Sequence, residues 1–392
     1  MRYDKAIKDF ATPLYIFDID ILKDRIASLK GRLSDRVELC YAVKANTFII
    51  PDAEPLVERL EVCSEGEFEI CECVNAPMEK IVVSGVYKTP SFIERIVSTY
   101  DNIGIYTIES LTHYELLKGL AKKYSKRLPV LIRITSKNQF GVSESDLDKI
   151  LKDNPGEYLD IKGLQYFSST QKNSIKKFRR ELTYLAELIE RVESEYGIKI
   201  EEMEYGTGFP VSYFPAESLD EDQLLAEFNE ELSVLPADIK VTLEIGRSIA
   251  ASCGSYITSV VDMKENSAGR FAIVDGGINH LVYYGQSMAM KQPMFELLPP
   301  RDSDDLQEWN ICGSLCTVND IMVKALPLPE LKIGDMLCFK NTGAYCMCEG
   351  ISLFLSRELP AVAVIENDKV KLLRGHFKTS TLNYPQNLKK EK

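Results

Sequence analysis

Eight short, apolar, β-rich runs recur along the first 250 or so residues, and no other feature limits the fold as strongly. They end near Val43, Ser64, Ser84, Ile108, Ile134, Phe167, Gly206 and Glu244. Between them lie stretches with helical spacing of apolar residues, such as Ser110 to Tyr124 and Ser174 to Tyr196. Alternating strands and helices predict parallel strands joined by crossovers, and eight of them predict a closed α/β (β/α)8 TIM barrel. After about residue 250 the rhythm changes. Ser255 to Met263, Arg270 to Val274, Met336 to Phe339 and Ala361 to Glu366 read as strands with no helix between them. Gly276-Gly277, Lys332-Ile333-Gly334-Asp335 and Glu366-Asn367-Asp368 read as turns. This predicts a C-terminal antiparallel β domain, which the early strand Leu14 to Asp18 can join. The expected domains are a barrel over 30–250 and a sheet domain built from 1–29 together with 251–392.

A formal charge of -12 argues against nucleic acid or an anionic membrane surface as partner. No apolar run approaches the roughly 18 residues of a membrane span, and Met1 to Phe10 is polar, unlike a signal peptide. None of the ten cysteines forms a CxxC pair with zinc-like spacing. Cys71-x-Cys73 and Cys346-x-Cys348 are close pairs without a matching second half, so the expectation is reduced thiols in a cytoplasmic protein and no metal. The acidic run Asp302 to Asp305 reads as a solvated loop, and the basic tail Lys389 to Lys392 as a disordered terminus.

The barrel gives meaning to particular residues, because chemistry in this fold gathers at the strand C-termini. Lys44 follows the apolar run Leu39 to Val43, where a lysine is costly unless paired or covalently used. Desolvation lowers a lysine's pKa, and a neutral amine can form a Schiff base with an aldehyde. Arg133, the Gly206-Thr207-Gly208 turn and Glu244 fall at the same kind of position. The glycine turn offers backbone N–H groups without side-chain obstruction, which suits a phosphate better than a plain tight turn.

Taken in order, YAVKAN around Lys44, S-E-G-E at Ser64 to Glu67, the Gly163 to Gln171 strand end, the glycine turn, E-I-G-R at Glu244 to Arg247, D-G-G at Asp275, C-T-V-N-D at Cys316 to Asp320 and G-A-Y at Gly343 to Tyr345 resemble the fold-type III pyridoxal-phosphate decarboxylases. That group includes diaminopimelate, ornithine and arginine decarboxylases and shares the alanine racemase-like barrel. The resemblance runs from Thr12 to about Pro360. It implies a PLP-dependent amino-acid α-decarboxylase in which Lys44 holds pyridoxal 5′-phosphate. Glu244 would pair with the pyridine nitrogen, making the ring a strong electron sink; alanine racemases carry an arginine there. Gly206, Thr207, Gly208, Gly246, Arg247, Thr170 and Tyr345 would serve the phosphate side, and Arg133 the cofactor pocket. Cys316 would protonate the substrate carbon, with Asp320 near the substrate. Sites in this family are completed across subunits, so a homodimer is implied.

Departures from the pattern bear on the substrate. Family members carry a cofactor-stacking histidine where this chain has Phe167, which can stack but cannot carry a proton; barrel core is an equal reading of it. Diaminopimelate decarboxylases have an acidic residue after the catalytic cysteine and an arginine after D-x-G. Here those positions hold Thr317 and Tyr283. A second amino-acid head group would lose both charged partners, which argues against diaminopimelate. Cys-Thr looks more like decarboxylases acting on an aminoacyl group tethered to a carrier protein. His280, in the Asp275 to Gln286 loop, is a candidate for touching substrate. A racemase is disfavoured by Glu244. An inactive binding or regulatory homologue is kept open by Phe167, against the retained Lys44, Cys316 and Asp320.

Overall fold

The computed structural model describes residues 2–154 and 156–385; the Lys389 to Lys392 tail lies outside them. The chain divides into two compact units, one comprising Lys23–Val211 with Leu219–Ile249, the other the rest of the described chain, including Ser212–Ser218.

The first unit is a closed parallel barrel of β2 (Val37–Ala42), β3 (Arg59–Val62), β4 (Ile81–Val83), β5 (Ile105–Ile108), β6 (Leu128–Ile134), β7 (Leu159–Phe167), β8 (Glu202–Gly206) and β9 (Lys240–Ile245), following the N-terminal strand β1 (Leu14–Asp18). β2 pairs with β9 to close the ring. Burial is nearly continuous along each strand, as expected when both faces of a parallel sheet are covered. The helices start where the chain offers oxygen caps. The Ser64, Thr89, Ser110, Ser143 and Asp220 side chains each accept from a backbone N–H in the first turn of the following helix. In Ser64 to Glu67 the Glu67 carboxylate also reaches back to the Cys63 N–H at 2.7 Å, a variant of the capping box.

The second unit is a nine-stranded sheet. It contains β1 with β10 (Gly254–Asn266), β11 (Gly269–Val274), β12 (Phe295–Leu298), β13 (Gln307–Cys312), β14 (Ile321–Leu328), β15 (Met336–Lys340), β16 (Ala361–Glu366) and β17 (Lys369–Arg374). Most of its strand pairs are antiparallel, as expected, but β1 runs parallel to β16 and β11 parallel to β13. The N-terminal strand enters the sheet between β10 and β16, antiparallel to one and parallel to the other. Leu14, Ile16, Ile257, Ala361, Ala363 and Ile365 pack there as a buried cluster. Hairpin reasoning fixes the direction of strands adjacent in sequence; these two parallel pairs join segments far apart in the chain. Among the described residues no helix is long and apolar enough to cross a membrane.

Candidate active site

β2 ends in a single 3-10 turn, Val43–Ala45, which puts Lys44 at the C-terminal end of the barrel strands. Its amine sits between two carboxylates, 2.5 Å from Glu61 Oε2 and 3.0 Å from Glu244 Oε1, and 3.7 Å from Cys63 Sγ. The Lys44 side chain is 36% exposed, whereas Glu61 is 1% and Glu244 8% exposed. The lysine side chain is therefore partly open to solvent while its carboxylate partners are not. Three strands supply the group: β2 ends just before Lys44, β3 carries Glu61 and β9 carries Glu244.

The two carboxylates cannot both ionise cheaply at this separation. Burial works against ionising Glu61, but the Lys44 charge and hydrogen bonds from Glu244 and Lys44 hold its carboxyl below the usual range. Burial, then the Glu61 charge, push Glu244 upward, with Lys44 opposing. The pair behaves as one titrating unit facing one cation.

Arg133, at the end of β6, donates to Glu109 at 3.1 Å and lies over the Phe140 ring. Lys88 stands 3.8 Å from the other Glu109 oxygen and donates to the Gly85 carbonyl and Thr107. Burial pushes Lys88 down to about 8 despite Glu109. Deeper in the barrel, Glu204 accepts from Gln165 at 2.6 Å, and Arg59 is 3.6 Å away. Burial pushes its carboxyl up to about 8.

The Gly206-Thr207-Gly208 turn follows β8. A Cβ on Gly206 would press on Phe167, 2.9 Å from its Cβ and 3.0 Å from its Cγ. Gly208 has φ +57°, and a Cβ there would meet the Ser169 carbonyl. Neither position admits a side chain without displacing its neighbour, so backbone stays bare at this end of β8. Arg247, directly after Gly246, donates through Nε to Thr170 Oγ1 at 3.3 Å. Arg247 and Thr170 thus form one cluster, with Ser169 linking the loop to Gly208. An amine set among carboxylates, a bare glycine turn and a nearby guanidinium fit the aldehyde, pyridine nitrogen and phosphate of pyridoxal 5′-phosphate.

The remaining sequence candidates lie in the sheet unit. Cys316 is exposed on the Gly313 to Asp320 loop, and Thr317 is half-buried beside it. Tyr345 adopts φ +64° after the buried Gly343-Ala344. Asp320 is buried, and its carboxylate accepts the N–H groups of Ile278 (2.9 Å) and Leu315 (2.7 Å). It ties the two loops together. His280 and Tyr283 likewise have partners within the protein. Both are buried; the His280 ring nitrogens meet the Tyr256 hydroxyl (3.2 Å) and the Glu358 carbonyl (2.8 Å), while the Tyr283 hydroxyl donates to the Lys340 carbonyl at 2.6 Å. Buried polar groups take such partners before a ligand arrives.

Sequence reasoning missed Glu61, Glu109, Lys88 and Glu204. For Glu61 and Glu204 the signal is a charged residue inside a four- or five-residue apolar strand, which is costly unless a partner is built for it; Glu109 and Lys88 follow the ends of β5 and β4 and carry no such signal.

Residues 14–343 match the family model described as the pyridoxal-dependent decarboxylase, C-terminal sheet domain. An L-glutamyl-[BtrI acyl-carrier protein] decarboxylase of Niallia circulans is 28% identical over 400 residues, covering 94% of this chain and 92% of that protein. A diaminopimelate decarboxylase of Aquifex aeolicus is 26% identical over 386 residues, covering 93% and 89%. The crystal structure of diaminopimelate decarboxylase from Helicobacter pylori, complexed with L-lysine, is similar in fold, with a TM-score of 0.85 at 24% identity, covering 97% of this chain and 98% of that one.

Proposed function

Because this chain belongs to the pyridoxal-dependent decarboxylase family, we propose that it removes the free α-carboxylate of an amino acid tethered to a carrier protein through its side-chain carboxyl, in preference to a free diamino acid. The observation that carries the reading is the pair Thr317 and Tyr283. A second amino-acid head group brings two charges, and Thr317 is neutral while the buried Tyr283 hydroxyl is committed to the Lys340 carbonyl. A tethered substrate ends instead in an amide or thioester, which asks for no ionic partner. The Niallia circulans relative, named for an acyl-carrier-protein substrate, supports the same choice.

Lys44 would hold the cofactor covalently through its amine. Glu244 would keep a proton on the pyridine nitrogen, with Glu61 beside it. Backbone N–H groups of Gly206 to Gly208, with Arg247 and Thr170, take the phosphate. Phe167 offers a ring face where a histidine would bring charge. Pyridoxal phosphate, when bound, delocalises the electron pair left on the α-carbon as carbon dioxide departs. Cys316, on its exposed loop and contributed across a homodimer, returns a proton to that carbon.

The test is carbon dioxide release from carrier-bound aminoacyl thioesters set against free diaminopimelate, lysine, ornithine and glutamate. Turnover of the tethered substrates alone is expected; efficient turnover of free diaminopimelate would sink the reading. Mixing inactive Lys44→Ala and Cys316→Ala proteins should restore about a quarter of wild-type activity if sites are shared in a homodimer. No recovery would place Cys316 in its own subunit's site, and an active Cys316→Ala protein would remove it from the chemistry.

A further inference from the structure

The helix Ile175–Tyr196 begins seven residues after β7 ends, so its first turns lie at the end of the barrel where the strand C-termini gather. It opens Ile175-Lys176-Lys177-Phe178-Arg179-Arg180, four cations in five residues of a chain whose net charge is -12. No acid occupies its first turn, and the N-cap Ser174 makes no side-chain cap. The flanking barrel helices at Glu144–Asp153 and Glu221–Leu232 each begin with two carboxylates, the sign that the helix dipole favours, whereas those at Pro90–Thr99 and Leu111–Tyr124 begin with none. The cations at 176–180 therefore oppose the local field, and helix stability does not account for them.

Two of the four are engaged. Lys177 donates to Ser169, and Arg179 pairs with Glu231. Lys176 and Arg180 are exposed and, among the described residues, have no ion-pair partner. With Arg179, Thr183, Tyr184 and Glu187 they line an open groove of about 400 Å³.

We propose that this helix face is the docking surface for the carrier protein, through an acidic surface on that partner and the phosphodiester of its prosthetic arm. The inference rests on the tethered-substrate reading above. Its own support is charge complementarity on an otherwise acidic molecule, at the barrel end where Lys44 awaits the substrate. An acidic partner is repelled by most of this chain, so a local basic face also selects the orientation in which it arrives.

The experiment compares wild type with Lys176→Glu/Arg180→Glu in the full PLP-loaded protein, on a carrier-bound aminoacyl thioester and on the same aminoacyl group as a pantetheine thioester. Lys122→Glu, a reversal of an exposed lysine on another helix, is the control. The double variant should lose about tenfold or more in kcat/KM on the carrier substrate, mainly through KM, and lose the salt dependence shown by wild type. The pantetheine thioester should react unchanged. Equal loss on both substrates, or equal loss in the Lys122→Glu control, overturns the docking surface, as does an unchanged carrier reaction. If wild type ignores the carrier substrate and decarboxylates free amino acids, the tethered-substrate reading itself falls.

Discussion

Replacing Gly206 with alanine probes the stereochemistry of the site without touching a charge. Phe167 and Gly206 are paired across β7 and β8. The added methyl would lie 2.9 Å from Phe167 Cβ and 3.0 Å from Cγ, and closer still to the ring edge. The ring edge can swing away, but Cβ can move only with its strand, which is hydrogen-bonded to β8. Overpacking of this kind costs about 1–3 kcal/mol. For a domain of this size about 2–4 °C of melting temperature is lost per kcal/mol, so a fall of several degrees is expected. If Phe167 also stacks on the cofactor, its displacement weakens PLP binding by about tenfold for each 1.4 kcal/mol of lost contact. The assay is thermal melting together with a PLP absorbance titration of Gly206→Ala, Phe167→Ala and the double variant. Phe167→Ala removes the ring contacts but keeps the Cβ contact, so relief is partial and the double variant should be more stable than the sum of the singles by about 0.5–1 kcal/mol. Gly119→Ala, in a helix interior with open space at its Cβ, should instead gain about 0.5–1 kcal/mol. Additive costs at Gly206 and Phe167, or no cost at Gly206, would refute the reasoning.

Glu244→Gln should leave Lys44 able to hold PLP, seen as a cofactor band that borohydride bleaches, while kcat falls about 10²–10³-fold; wild-type turnover would remove Glu244 from the chemistry. Glu204 gives a pH prediction. Its carboxyl is pushed from 4.5 up to about 8 by burial, so its contribution to stability is full below about pH 4.5 and is lost as pH rises through about 8. Over that window it adds a decline of up to about 1.4 kcal/mol per pH unit. Glu204→Gln should flatten the denaturation profile there, and parallel profiles for variant and wild type would contradict it. The buried Lys172 ammonium is enclosed by Glu181 (2.8 Å), the Tyr205 hydroxyl (3.0 Å) and the Gly206 carbonyl (3.2 Å). Lys172→Met should cost about 3–5 kcal/mol by stranding Glu181, with most recovered in Lys172→Met/Glu181→Leu; equal melting of both variants would count against an ion pair that matters.

Much of this molecule is legible in its sequence because the relevant forces are local. The barrel strand ends fall where the apolar runs stop, from Val43 to Glu244, and Ser110 and Ser174 mark the starts of their helices. Short-range periodicity suffices for that, helped at Ser110 by a capping oxygen. Four strands escaped notice: β17 has no buried residue, β12 only one and β13 alternates only in part, while β14 is apolar but irregular, with Ala325 at φ +48° and a proline at 327. Lys44 could be singled out because its cost is visible from its immediate neighbours.

That Glu61 and Glu244 pair with its amine could not be foreseen, since they are 17 and 200 residues away and meet it only when the ring of strands closes. The same holds for the parallel pairs in the sheet and for the interior places of His280, Tyr283 and Asp320. Sequence pattern encodes which way each strand faces and where it ends. Which side chains then share a proton, a cation or a loop depends on strand pairing between distant segments, where a buried charge must find a partner or not be there at all.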